Sequence, residues 1–281
     1  VAPEFEKYAA EAAAATGYSN PVFCGKGAFK ETYRVSDTAG RAVALKLVDA
    51  AKSSIVRVER EIEAIGRCNS IRIGRLFGSS QMRCADGREF IVVIEEFLGG
   101  GSLEDRLVVG VADQQKIQIA AGLAQAVQEL HPLKLVHRDI KPANVMFRAT
   151  DDHDPVLVDF GLVRDLSQAS ATATWLMHGP GTPYFASPEQ LNNDKALIDW
   201  RSDQFAVGVI ACWMLLGVHP YEEDGMKPFD VVAAVASRKG PTKSVVDRLS
   251  ARGFSGIVRS VSAWPVGRYS RPHEFVQIFQ T

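Results

Sequence analysis

The segment His137-Arg138-Asp139-Ile140-Lys141-Pro142-Ala143-Asn144 gathers an aspartate, a lysine and an asparagine into a few residues, and Asp159-Phe160-Gly161 follows beyond a short hairpin. Taken alone, each aspartate is what an ordinary surface turn carries, so its meaning depends on its neighbours. Upstream, Asp113 to Leu130 has helical periodicity, with Ile117, Ala120, Ala121, Ala124, Val127 and Leu130 on one face. Before that helix the run Gly99-Gly100-Gly101 reads as a hinge, because the chain changes character across it. From Val22 to about Phe97 the pattern is short β-rich runs, Arg41 to Val48 and Phe90 to Ile94, with Gly and Asp turns between them. A single helix interrupts these strands, about Ser54 to Arg67, with Ile55, Val58, Ile62 and Ile65 on one stripe. Residues 3–15 are strong helix formers that stop at Gly17. Periodicity therefore predicts a strand-rich half followed by a helix-rich half.

A chain of 281 residues accommodates two packed lobes and little more. Thirty-two Lys and Arg oppose 33 Asp and Glu, so a net charge of -1 provides no global field to recruit nucleic acid or an anionic membrane. Any acidic ligand has to be held locally. Cys24, Cys68, Cys84 and Cys212 lie far apart without metal-ligand spacing, which predicts reduced thiols in a cytoplasmic protein. The longest apolar run, Phe205 to Leu216, falls short of the roughly 20 residues a membrane helix needs. The start at Val1 fits a piece excised from a longer parent that could carry anchors or sensors.

Three segments bear on chemistry. Gly25-Lys26-Gly27-Ala28-Phe29-Lys30 lies between two strands, where glycines let backbone N–H groups approach a polyphosphate; by itself the pair of glycines also fits a plain hairpin. Val43-Ala44-Leu45-Lys46 sets one lysine into an apolar strand, where it needs a partner unless it sits at an edge facing solvent. The following helix offers Glu61, with Glu59 and Glu63 nearby, and a Lys46–Glu61 ion pair would aim the ammonium at phosphate oxygens.

In order and spacing these segments, with His137 to Asn144 and Asp159 to Gly161, resemble the eukaryotic-type (Hanks-type) protein kinase family over about Tyr18 to Phe279. The resemblance implies an α+β, bilobal protein kinase fold: a helical extension at 1–20, a small β-rich N-lobe with one regulatory helix at 21–98, and a larger, mainly α-helical C-lobe at 99–281, with ATP in the cleft between lobes. It implies that Asp139 accepts the proton of the substrate hydroxyl, that Lys141 marks the Ser/Thr-specific members and contacts the γ-phosphate, and that Asn144 and Asp159 hold Mg²⁺ or Mn²⁺. Gly25, Lys26, Gly27 and Lys46 fall at phosphate-binding positions, and Ala44, Glu96, Leu98 and Met146 at adenine-contacting ones. Either Glu95 or Ile94 guards the back of that pocket, the register being open by one residue.

Gly181 to Glu189 resembles the family's substrate-binding loop, with Ser187 where Ala is usual. Glu189 pairs with Arg268 by the same resemblance, and Asp203 braces the catalytic loop. Ser167, Ser170, Thr172 and Thr174 lie in the intervening loop; a phosphate on Thr172, Thr174 or Ser170 would find Arg138 as its cation. Lys30 and Thr32 depart from the glycine-loop pattern and predict altered ATP affinity. The expected activity is transfer of the γ-phosphoryl of Mg-ATP to Ser and Thr of protein substrates, with transient self-association for autophosphorylation. An ATP-binding pseudokinase, or a small-molecule kinase of related fold, is the alternative. Lys-Pro-Ala-Asn and the motif around Ser187 resemble bacterial members more than animal ones.

Overall fold

The computed structural model describes residues 2–27, 30–52, 62–63, 65–66, 68–159 and 183–280. Contacts divide the chain into two compact units, the first ending at Gly99 and the second beginning at Gly100. The first holds helix α1 (Glu6–Ala15) and strands β1 (Ser19–Lys26), β2 (Lys30–Ser36), β3 (Ala42–Asp49), β4 (Leu76–Arg83) and β5 (Glu89–Glu96). The strands form one antiparallel sheet in the order β1-β2-β3-β5-β4.

Side chains alternate along a strand, so each strand addresses both faces of the sheet. Tyr33, Val35, Val43, Leu45, Leu47, Phe90, Val92 and Ile94 form one face and pack on Tyr8, Ala9, Ala12 and Ala13 of α1. The alanines let the helix approach closely, while Phe5 and Tyr8 set their rings 5.0 and 4.9 Å from that of Phe90. The helix ends at Thr16, whose hydroxyl donates to the Ala12 carbonyl at 2.6 Å, and Gly17 supplies the left-handed exit at φ 81°. Its other end is held by a carboxylate from the sheet: Glu31, fully buried, accepts the backbone N–H groups of Glu4 at 2.7 Å and Phe5 at 2.9 Å, and the Tyr33 hydroxyl at 2.6 Å. Burial raises the Glu31 pKa, but these donors outweigh it and hold the carboxyl below its usual range. An anion at a helix N-terminus also meets the positive end of the dipole. The amino-terminal segment is thus part of this unit's core. Of the helix expected near Ser54 to Arg67, Ile62 and Ile65 are helical and buried; Glu61, Ile55 and Val58 lie outside the described residues.

The second unit contains α2 (Leu103–Val109), α3 (Asp113–Leu130), a small hairpin β6 (Val145–Met146) and β7 (Val156–Leu157), and then α4 (Pro188–Leu191), α5 (Trp200–Leu216), α6 (Pro228–Ala236), α7 (Lys243–Ala251), α8 (Ser255–Ser260) and α9 (Pro272–Gln277). The apolar helix α5 is buried almost all round and forms the core of this unit. On α3 the buried face is wider than the sequence stripe: Ile119, Leu123 and Ala126 join it, whereas Ile117 and Ala121 are only half-buried. Packing against both α5 and α9 explains the widening. Among the described residues no helix is long and apolar enough to cross a membrane.

Gly100 has a use besides the expected hinge. A Cβ there would lie 2.3 Å from the Ala149 carbonyl oxygen, and its N–H donates to the Phe147 carbonyl at 2.8 Å. Arg106 of α2 closes this junction by donating to the carbonyls of Gly100, Ala149 and Asp152, with its guanidinium 3.5 Å from the centre of the Phe147 ring.

Replacing Glu31 by Ala strands two backbone donors and a buried phenol, so chemical denaturation of Glu31→Ala is expected to show a loss of about 1–3 kcal/mol. Amide exchange at Glu4 and Phe5 will rise with it.

Candidate functional site

In the second unit the site grows from α5. Asp203, buried in its first turn, accepts the backbone N–H of His137 on Oδ2 at 2.7 Å and that of Arg138 on Oδ1 at 2.8 Å. Burial pushes its pKa up to about 7 against the opposing pull of those two donors. The clamp holds Arg138 at φ 66°, a left-handed conformation that costs a non-glycine residue about 1–3 kcal/mol unless its surroundings impose it. Gln190 reinforces the turn by donating to the Arg138 carbonyl at 2.7 Å. His137 is buried, and burial lowers its pKa to about 4, so the ring is neutral. Its Nδ1 accepts the Asp139 N–H at 3.3 Å, which leaves the proton on Nε2 to be donated to the Val158 carbonyl at 3.1 Å. One ring therefore links the loop before Asp139 to the segment before Asp159.

The three polar residues singled out in the sequence converge on one atom. The Asp139 Oδ2 lies 3.0 Å from the Lys141 ammonium and 3.0 Å from the Asn144 amide nitrogen, which also donates to the Asp139 carbonyl at 2.8 Å. The Asn144 N–H closes a 3₁₀ turn onto the Lys141 carbonyl, and the Asn144 carbonyl accepts the Val158 N–H at 3.0 Å, so the β6–β7 hairpin fixes the turn. With its amide nitrogen committed to Asp139, Asn144 has its Oδ1 to offer a cation. Asp159 follows at φ 63°, again left-handed. A carboxylate and an amide oxygen are hard donors of the type Mg²⁺ prefers.

The first unit carries Lys46 and the glycine loop. Lys46 is 5% exposed, and its ammonium is hydrogen-bonded to Glu95 Oε2 on the neighbouring strand. Ala44 and Leu98 are buried, and Glu96 ends β5. In the second unit Met146 is half-buried and bridges to Ser102. Gly25 lies on β1, and Gly27 donates its N–H to the Lys30 carbonyl at 2.8 Å. The Lys26 ammonium is held by Glu4 at 2.8 Å and by Glu31 at 3.5 Å, because the anchored amino-terminal segment brings two carboxylates beside it. The register question at the end of β5 is answered by alternation. Ile94 belongs to the face covered by α1, and Glu95 shares the opposite face with Lys46.

Glu61, Ser170, Thr172, Thr174, Phe160, Gly161 and the start of the substrate-binding loop lie outside the described residues. The acidic Glu222 accepts the Tyr184 hydroxyl at 2.9 Å and the His219 N–H at 3.0 Å, which makes it a brace for its own turn. Sequence reasoning missed the clamps at Glu31 and Glu95, since each joins residues far apart in the chain. For Glu95 the signal available was a charged residue in an otherwise apolar strand; the polar strand around Glu31 offered none.

Arg268 and Glu189 are fully buried and meet in a two-pronged pair, Nη1 to Oε1 at 2.7 Å and Nη2 to Oε2 at 2.9 Å. Ser202 donates to the same Oε1 at 2.7 Å, and Arg268 spends further N–H groups on the carbonyls of Ser262 and Arg201. Burial alone would raise the Glu189 pKa; the Arg268 hydrogen bonds overcome it and keep the carboxyl below its usual range.

Comparison with known proteins bears on this arrangement. The family model for the protein kinase domain matches residues 18–248. The "Serine/threonine-protein kinase PknL" of Mycobacterium bovis is 30% identical over 89% of this chain and 68% of its own length. The "Probable serine/threonine-protein kinase PknB" of Bifidobacterium longum is 28% identical over 89% of this chain and 37% of its own length, so the chain spans little more than a third of that relative. Among solved structures, Rad53 1-466 in complex with AMP-PNP superposes with a TM-score of 0.71 at 20% identity, covering 94% of this chain and 65% of that one. This likeness shows the protein kinase fold, α+β with a five-stranded antiparallel sheet and a mainly helical second unit.

Because each partner of the buried pair is left uncompensated when the other is removed, Arg268→Met is expected to cost about 3–5 kcal/mol in chemical denaturation. The pair's contribution is complete above the unfolded-state pKa of about 4.3 and is lost as pH falls through the lower folded value, so the stability gap between wild type and Glu189→Gln will shrink on acidification.

Proposed function

The chain belongs to the protein kinase family, as a Hanks-type serine/threonine member, and we propose on that footing that it transfers the γ-phosphoryl group of ATP to Ser and Thr hydroxyls of protein substrates. The observation that carries this reading is the convergence of Lys141 and Asn144 on Asp139 Oδ2, in a loop clamped by Asp203. Phosphoryl transfer asks a protein for alignment and charge neutralisation more than for covalent chemistry. Asp139 orients the acceptor hydroxyl and takes its proton. Lys141, already beside that carboxylate, balances its charge and meets the γ-phosphate as it moves. Lys46 holds phosphate oxygens, and the backbone at Gly25 and Gly27 lies along the same phosphates. Of the adenine-contacting positions that the resemblance implies, Ala44, Glu96 and Leu98 lie in the first unit, where the backbone at Glu96 and Leu98 pairs the base edge, and Met146 lies in the second.

Asn144 and Asp159 would hold Mg²⁺, for which their oxygen donors are suited, with Mn²⁺ as a substitute. When bound, the ion neutralises charge on the β- and γ-phosphate oxygens. Names of the relatives support Ser and Thr as acceptors. The site of action we propose is the cytoplasm. We also propose that two copies meet transiently to phosphorylate Thr172, Thr174 or Ser170, with Arg138 as the docking cation.

With labelled ATP and a generic basic protein, Asp139→Asn is expected to lower kcat by about 10²–10⁴-fold while nucleotide binding persists. Equal turnover in the variant would overturn the assignment. Mass spectrometry of active wild type is expected to find phosphate on Ser170, Thr172 or Thr174 and none in Asp139→Asn; active protein free of loop phosphate excludes the regulatory role.

A further inference from the structure

Strand alternation places Val43, Leu45 and Leu47 of β3, and Phe90, Val92 and Ile94 of β5, on the face covered by α1. Ala44, Lys46 and Val48 therefore share the opposite face with Ile91, Val93 and Glu95. In the ladder Ala44 stands opposite Glu95, and Lys46 opposite Val93, which makes Lys46 and Glu95 diagonal neighbours on adjacent strands. Diagonal residues are too far apart for short side chains and within reach of long ones. Lysine and glutamate together span the gap, and the ammonium meets Glu95 Oε2 in a direct hydrogen bond.

The surroundings make this more than a surface ion pair. Lys46 is 5% and Glu95 7% exposed, and Ala44, Val48, Ile91 and Val93 around them are buried apolar residues. Either charge would be costly here without the other. The backbone that carries both is a hydrogen-bonded antiparallel ladder running from Val43–Glu96 to Asp49–Phe90, so the relative placement of the two Cα atoms is set by the sheet itself. A carboxylate borne on a packed helix can move away from a strand lysine as the helix shifts. One borne on the adjacent strand has its Cα held by the ladder.

We propose that Glu95 is a positioning residue for Lys46: a strand-borne carboxylate that fixes the ammonium for phosphate from within the sheet. This inference rests on the reading of Lys46 as a phosphate ligand. It also gives the buried carboxylate at this position a role as an anchor for the lysine.

The test is a set of Mg-ATP dissociation constants measured by calorimetry, with steady-state kinetics beside them, for wild type, Glu95→Gln, Lys46→Met, the double variant and Glu61→Gln. Glu95→Gln is expected to weaken ATP binding about tenfold and to lower kcat/KM for ATP, with KM for the protein substrate unchanged. Glu61→Gln is expected to weaken ATP binding less. The double variant is expected to bind no more weakly than Lys46→Met, since a residue acting only through Lys46 has nothing left to position; a merely structural role would add its loss to both. If Glu95→Gln does not fold, Glu95→Asp retains the charge on a shorter arm and is expected to show an intermediate loss. ATP binding by the Glu95 variants equal to wild type overturns the proposal. Tighter binding overturns it too, because the carboxylate would then compete with phosphate for the ammonium. Wild type that binds no ATP, or Asp139→Asn that turns over like wild type, would instead sink the kinase reading itself.

Discussion

One buried carboxylate, Asp203, holds two consecutive backbone N–H groups, and the loop from His137 to Asn144 takes its shape from that grip. The left-handed turn at Arg138 is unfavourable on its own; it persists because α5 is embedded in the core of its unit and cannot yield. With Arg138 fixed, Asp139 is presented with its carboxylate toward Lys141 and Asn144, and the neutral His137 ring ties the same loop to the strand that leads to Asp159. Rigid core, strained turn and aligned polar cluster form one chain of cause. The buried Glu189–Arg268 pair supports the same region, since Arg268 also caps the Arg201 carbonyl at the start of α5.

The first unit solves a different problem with similar means. Its sheet has one face covered by α1 and another that carries a lysine and a glutamate in apolar surroundings. Glu31 and Glu95 are both buried carboxylates on strands, yet they do opposite jobs. Glu31 satisfies backbone donors and stitches the amino-terminal segment to the sheet, drawing Lys26 with it. Glu95 satisfies a side-chain cation. For Glu31 the donors outweigh the cost of burial and hold the carboxyl below its usual range, whereas Glu95 is offset by the buried ammonium it meets.

Much of this was written in the sequence. Helical periodicity gave Asp113 to Leu130 the same limits as the observed α3, and short apolar runs located β3 and β5 to within a residue or two. The motifs around Asp139, Asp159 and Lys46 named the family, and Glu189, Arg268 and Asp203 were found as structural supports. These features are local or ordered along the chain: a stripe, a run, a spacing. The partners of Lys26 were not legible in this way, because nothing near it in the chain announces that Glu4 will lie alongside.

The sequence alone determined the fold class, the order of the elements and the identity of the polar residues, because backbone periodicity and short motifs are properties of neighbours. Only the tertiary structure decided which of those residues touch. It turned Ile94 toward α1 and Glu95 toward Lys46, widened the buried face of α3, and required Gly100 at a backbone crossing. The physical reason is that strand register and helix packing are fixed by the burial of whole faces. A shift of one residue reverses every side chain on a strand, and no single residue's neighbours in the sequence can report it.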